Sequence, residues 1–111
     1  SMSRRAGDML FLSGFGPVKD DEVIGSNIEE QTIFTMDAMK GVLESEGATW
    51  DHTMRVNVFL LNMQDRDGFN STYMNYFKKP QRMPTRRLIG AGDMYMGILV
   101  EIDAVAYLGE T

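Results

Sequence analysis

The chain has 111 residues, 43% of them hydrophobic and 24% charged, with a net charge of -5, which suits one domain around one core. It has no lysine and arginine excess of the kind that binding to a phosphate backbone needs, and no apolar run near the roughly 20 residues that span a bilayer. Cysteine is absent, which excludes disulfides, thiolate nucleophiles and zinc–cysteine sites.

No nucleic-acid or membrane partner is therefore expected. The N-terminus has no long apolar stretch ending in small residues, so no signal peptide is expected and the cytoplasm is the expected location. Ser1 and Met2 read as a cloning remnant, which leaves 3–111 as a single domain without linker, repeat or low-complexity segment. The ten methionines read as soft core filler.

Residues 9–13 form a short apolar run before Gly14 and Gly16-Pro17, a buried strand followed by a turn. Residues 18–25 carry Lys19, Asp20, Asp21 and Glu22 and read as a solvated hairpin-like turn, with 22–24 as an edge strand. Ser26 with Glu29 has capping-box spacing and predicts a helix start. Ile28, Thr32, Met36, Met39 and Leu43 then recur at three- and four-residue steps, and Gly47 ends the helix.

Residues 53–61 alternate: Met54, Val56, Val58 and Leu60 on one face, Arg55, Asn57, Phe59 and Leu61 on the other. Asp65 or Asp67 caps a second helix whose stripe is Phe69, Tyr73, Tyr76 and Phe77, and Pro80 and Pro84 break the chain. A short strand over 85–89 leads into the loop Gly90-Ala91-Gly92. The last strand, 98–108, sends Ile98, Val100, Ile102, Ala104, Ala106 and Leu108 one way and Leu99, Glu101, Asp103, Val105 and Tyr107 the other. The order β-(β)-α-β-α-β-β predicts an α/β (α+β) domain with two helices on one face of a mixed sheet. The other face carries Phe59, Leu61, Val105 and Tyr107, so a second copy of the chain is the economical cover for it.

Few groups carry chemistry. The Gly14-Phe15-Gly16 piece opens no helix and is followed by no P-loop lysine. His52, the only histidine, reads as a solvated turn residue, which rules out histidine clusters for a metal. Ser13 has no histidine near it in sequence and reads as a backbone cap. Glu101 lies mid-strand on the face away from the helices, and strand alternation lets only one of Arg86 and Arg87 share that face. On these residues alone, a cross-strand ion pair of about 0.5 kcal/mol is the plainer reading.

Seven segments, in order, resemble the Rid/YjgF family of reactive imine/enamine deaminases, also called the endoribonuclease L-PSP family. They are Leu10-Phe11-Leu12-Ser13-Gly14 with Pro17; Ile28-Glu29-Glu30-Gln31-Thr32; Leu43-Glu44 with Gly47-Ala48; Arg55-Val56-Asn57-Val58-Phe59-Leu60; Asn70 with Tyr73 and Phe77; Pro84-Thr85-Arg86; and Val100-Glu101-Ile102-Asp103-Ala104-Val105-Ala106. The resemblance implies a chorismate-mutase-like domain, three copies of which pack their sheets into a barrel with ligand pockets in the clefts between subunits. It implies hydrolysis of 2-imino acids, and their enamine tautomers, to 2-keto acids and ammonia without a cofactor or metal.

By the same resemblance, Arg86 binds the substrate carboxylate and Glu101 orients the water. Gly14 and Leu88 offer backbone groups, and Ser13, Asn70 and Phe15 line the substrate. Phe15 stands where many members have glutamine, Arg87 where the family often has a small residue, and the 90–97 loop with Met94, Tyr95 and Met96 is unusual. The chain is expected to begin just before the first strand, without the family's pocket-closing N-terminal tyrosine. Two other readings compete: a non-catalytic trimer that binds a 2-keto acid, and a ribonuclease or translation inhibitor, against which the negative charge weighs. A chorismate-mutase role rests on fold analogy alone.

Overall fold

A computed structural model describes residues 1–109; residues 110 and 111 of the expected 3–111 domain lie outside the described residues. The strongest alternation in the sequence builds the central strand β7 (Val100–Tyr107), in which every second residue is buried. It lies between β2 (Met9–Phe15) and β5 (Thr53–Leu60), antiparallel to both. β1 (Ser3–Ala6) flanks β2, and β6 (Thr85–Gly90) lies parallel to β5 at the other edge, giving the order β1-β2-β7-β5-β6. β3 (Val18–Lys19) and β4 (Glu22–Val23) form a separate hairpin, where the expected 18–25 turn lies. Its turn holds Asp20 and Asp21 at φ 53° and 62°, the two positive φ angles of a tight hairpin turn.

Topology explains why both helices share one face. β2, β5 and β6 run in the same direction and follow one another across the sheet. α1 (Ile28–Ser45) joins β2 to β5, and α2 (Arg66–Tyr73) joins β5 to β6. Two right-handed crossovers moving the same way must put both helices on the same side. Their apolar stripes meet Leu10, Leu12, Val56, Val58, Leu60 and the inward half of β7 in one core.

Several local expectations shift. The α1 cap is Asn27, whose side chain accepts from the Glu30 backbone N–H at 2.9 Å, while the Glu30 carboxylate accepts from the Ser26 backbone N–H at 2.9 Å. The capping device is thus one residue later than the expected Ser26–Glu29 pair. At the far end Gly47, at φ 80°, closes the helix as expected: Gly47 N–H bonds to Glu44 O and Ala48 N–H to Leu43 O. Asp65 occupies the cap position of α2 but makes no side-chain cap bond.

A strand, β1, precedes the expected first strand and pairs along its outer edge. The strand expected over 9–13 runs on through Gly14 and Phe15 instead of turning at Gly14, because a bulge lets Ser13 and Gly14 together oppose Asp103: Leu12 pairs with Ala104 and Phe15 with Ile102. A second irregularity at Thr53–Arg55 buries Thr53 and leaves Met54 half exposed, reversing the expected placement of Met54 on the core face. Among the described residues no helix is long and apolar enough to cross a membrane.

Candidate functional site

The expected site residues fall into two groups, on different parts of the chain. The first centres on Arg86. Its register partner Val56 is fully buried on the helix side, so the strand sends Arg86 toward α2. There its guanidinium carbon lies 5.0 Å from the centre of the Tyr73 ring and 5.8 Å from that of Phe69. The two rings stack at 5.3 Å, which follows from their i, i+4 spacing on one face of α2. Among the described residues no ion pair or hydrogen bond engages Arg86.

Beside it opens a cleft of about 300 Å³, lined by Asn70, Tyr73, Met74, Met83, Pro84 and Arg86. Asn70 Oδ1 and the Tyr73 hydroxyl are buried without a hydrogen-bond partner among the described residues. Burial pushes the Tyr73 phenol up to about 12, partly offset by the Arg86 charge, so it stays a proton donor at neutral pH. Leu88, two residues beyond Arg86, shares its strand face and packs against the core. β6 is an edge strand, so the backbone groups on its outer side have no strand partner.

The second group is Ser13, Gly14 and Glu101, on the face away from the helices. The bulge in β2 leaves Ser13 and Gly14 exposed, with the half-buried Glu101 carboxylate lying over Gly14. A Cβ placed on Gly14 would meet Glu101 Oε2 at 3.0 Å, so the missing side chain is the space that the carboxylate occupies. The same bulge returns Phe15 to the helix side, where it packs against the core beside Ile102; it does not join Gly14 and Glu101.

Arg87, not Arg86, shares the face of Glu101: it lies in register with Asn57, which in turn pairs with Asp103. Asn57 Nδ2 donates to Asp103 Oδ1 at 2.8 Å. No ion pair joins Glu101 to either arginine among the described residues, so the cross-strand pair is not formed. β7, which carries Glu101, and β6, which carries Arg86, are two strand spacings apart, about 10 Å. Within one copy, therefore, Arg86 and Glu101 lie on opposite faces of the sheet and do not meet.

His52 is half-buried, and its Nδ1 accepts from the Thr49 backbone N–H at 3.0 Å, capping a short turn. Ser13 makes no side-chain cap; its backbone N–H donates to Met2 O at 3.0 Å. No group of three or more His, Cys, Asp or Glu that could hold a metal occurs among the described residues. The resemblance pointed to Asn70 and Arg86 but to no role for Phe69 or the Tyr73 ring. Their spacing on α2 was visible, yet it read only as a core stripe.

A family model described as Endoribonuclease L-PSP matches residues 1–108. A RutC family protein of Saccharolobus solfataricus is 36% identical over 108 residues, covering 96% of this chain and 84% of the relative. A protein of Dermatophagoides farinae named 2-iminobutanoate/2-iminopropanoate deaminase is 26% identical over 110 residues, covering 97% of this chain and 84% of its own length. The crystal structure of YyfA from Yersinia pestis, titled as a protein of unknown function of the conserved Rid family, superposes with a TM-score of 0.90 at 28% identity. That match covers 96% of this chain and 86% of YyfA.

Proposed function

The chain belongs to the Endoribonuclease L-PSP family, the Rid/YjgF proteins, and from that membership we propose that it hydrolyses reactive 2-imino acids and their enamine tautomers to 2-keto acids and ammonia. The observation that carries this reading is Arg86: a half-buried guanidinium laid over two aromatic rings, beside a cleft, with no acidic partner among the described residues. A 2-imino acid has one fixed charge, its carboxylate, and a guanidinium meets it with a planar two-point fork. The named deaminase among the relatives supports the same substrate class.

The imine carbon is already electrophilic, so the site need only hold it beside a water. Glu101 takes a proton from that water as its oxygen bonds to the imine carbon. That proton passes to nitrogen to give a carbinolamine; Glu101 then carries the remaining hydroxyl proton to the same nitrogen as the carbon–nitrogen bond breaks, so that ammonia leaves and the carbonyl forms. Because Arg86 and Glu101 lie on opposite faces of one sheet, the working site takes its two halves from neighbouring copies. The β6 edge of one copy is set against the open face of β2 and β7 of the next, in a homotrimer. Gly14 and Leu88 contribute backbone groups and no cofactor takes part.

A second reading, a trimer that binds 2-keto acids without turnover, is favoured by one feature. The Arg86 cleft is formed within a single copy, and among the described residues its lining has no carboxylate or histidine to activate water. Release of ammonia and keto acid from a freshly generated imine separates the two. Wild type is expected to accelerate release and Arg86→Ala to give only the uncatalysed rate. Wild type at the uncatalysed rate would overturn the enzyme reading.

A further inference from the structure

We propose that Tyr73 is a ligand-binding residue of the Arg86 cleft, its ring supporting the guanidinium and its hydroxyl donating to the bound carboxylate. The inference rests on the carboxylate-binding part of the function proposed above and goes beyond it by giving a second anchor to the same group.

Three observations meet at this side chain. Its ring centre lies 5.0 Å from the Arg86 guanidinium carbon, nearer than Phe69 at 5.8 Å. A guanidinium laid on a ring face keeps its N–H groups in its own plane, where they stay available to a planar acceptor. Tyr73 also lines the cleft. Its hydroxyl is one of four buried side-chain polar atoms without a partner among the described residues, and Asn70 Oδ1, one turn away on the same cleft, is another.

An unpartnered buried hydroxyl destabilises the empty protein, since folding strips its water and returns nothing. A tyrosine kept on that footing, beside an arginine without an ion pair or hydrogen bond among the described residues, is explained if an anion completes its hydrogen bond. A packing role alone needs only a phenylalanine, as Phe69 beside it shows.

The two explanations predict opposite pairings of stability and affinity. Pyruvate binding would be measured by calorimetry, and thermal unfolding in the absence of ligand, for wild type, Tyr73→Phe, Tyr73→Leu and Arg86→Ala. Tyr73→Phe keeps the ring and loses the donor. Pyruvate affinity is expected to fall about tenfold, the loss of one hydrogen bond to a charged group, while the unliganded melting temperature holds or rises. Tyr73→Leu is expected to weaken binding further. If it does not fold, Tyr73→Phe alone still decides.

Wild-type affinity in Tyr73→Phe, with binding abolished in Arg86→Ala, would overturn the proposal and leave the carboxylate anchor standing. Failure of wild type itself to bind pyruvate would overturn both. Binding by wild type without imine hydrolysis, together with the loss in Tyr73→Phe, would support the role of Tyr73 and refute the deaminase reading.

Discussion

The two adjacent arginines differ in everything but sequence. Arg86 lies over Phe69 and Tyr73 on the helix side, while Arg87 lies exposed on the opposite face in register with Asn57. Arg86→Ala is therefore expected to abolish both keto-acid binding and imine hydrolysis, and Arg87→Ala to leave ligand affinity within about twofold. Calorimetry on the two variants tests this; equal losses would refute the assignment. Arg86→Lys should recover little, because an ammonium cannot make the planar two-point contact. Glu101→Gln should leave carboxylate affinity nearly intact and slow hydrolysis by about a hundredfold or more, the usual worth of a general base. Gly14→Ala should resemble it in kinetics, since its methyl would press on Glu101 Oε2 and move the carboxylate without removing it. The residues of this site were legible one at a time, Arg86 through its Pro84-Thr85-Arg86 setting and Glu101 through its mid-strand place. Their separation was not, because it depends on which strand lies beside which and on a bulge at Ser13-Gly14 that alternation does not announce.

Among the elements, α1 shows how much end chemistry can be read and how easily it slips by one residue. Ser26-Asn27-Ile28-Glu29-Glu30 contains two overlapping cap-like pairs, and the structure uses Asn27 with Glu30. Asn27→Ala should cost about 1 kcal/mol in urea unfolding, and Ser26→Ala clearly less, since the Glu30 carboxylate would keep its bond to the residue 26 backbone. The end of α1 was legible because a glycine with positive φ has few other readings there. The alkaline limit of stability belongs to the segment around α2. Burial raises the Tyr73 phenol to about 12, and burial with a 2.7 Å hydrogen bond to Asp37 raises Tyr76 as well. An unfolded tyrosine ionises near pH 10, so from there to about pH 12 the folded state holds protons that the unfolded state has lost. Stability should be flat in pH below 10 on account of these groups and fall as pH rises through that window. Urea midpoints at several alkaline pH values would show it, and Tyr73→Phe should flatten the slope; an unchanged slope would refute the assignment.

The whole chain has a covered face and an open one, and the open face argues for company of a particular kind. Along β2, β7, β5 and β6 it presents three rows in register: Phe11 with Val105 and Arg55, then Asp103 with Asn57 and Arg87, then Glu101 with Phe59 and Ile89. Phe11 is 46% and Ile89 42% exposed, at opposite corners of a face whose outer rows each join two apolar side chains to one charge, Arg55 in the first and Glu101 in the third. A net charge of -5 and no basic stripe make this face a poor match for RNA, and tight, salt-sensitive RNA binding would contradict that view. A second sheet of the same kind fits better, because it would bury the apolar side chains Phe11, Val105, Phe59 and Ile89 while the Asn57–Asp103 hydrogen bond stays made. Val105 tests the idea, since it is half-buried in one copy and would be enclosed in a trimer. In an isolated copy Val105→Glu leaves a glutamate near solvent and changes stability little. In a trimer it would bury an unpaired charge, which the assembly could avoid only by coming apart. Sedimentation at micromolar concentration is expected to find wild type at three times the chain mass and Val105→Glu mainly as single chains with the fold retained. Imine hydrolysis should then vanish in Val105→Glu although Arg86 and Glu101 are both intact, because they would no longer meet across copies. A wild type that sediments as one chain, or a monomeric variant that still hydrolyses imine, would show that one copy suffices.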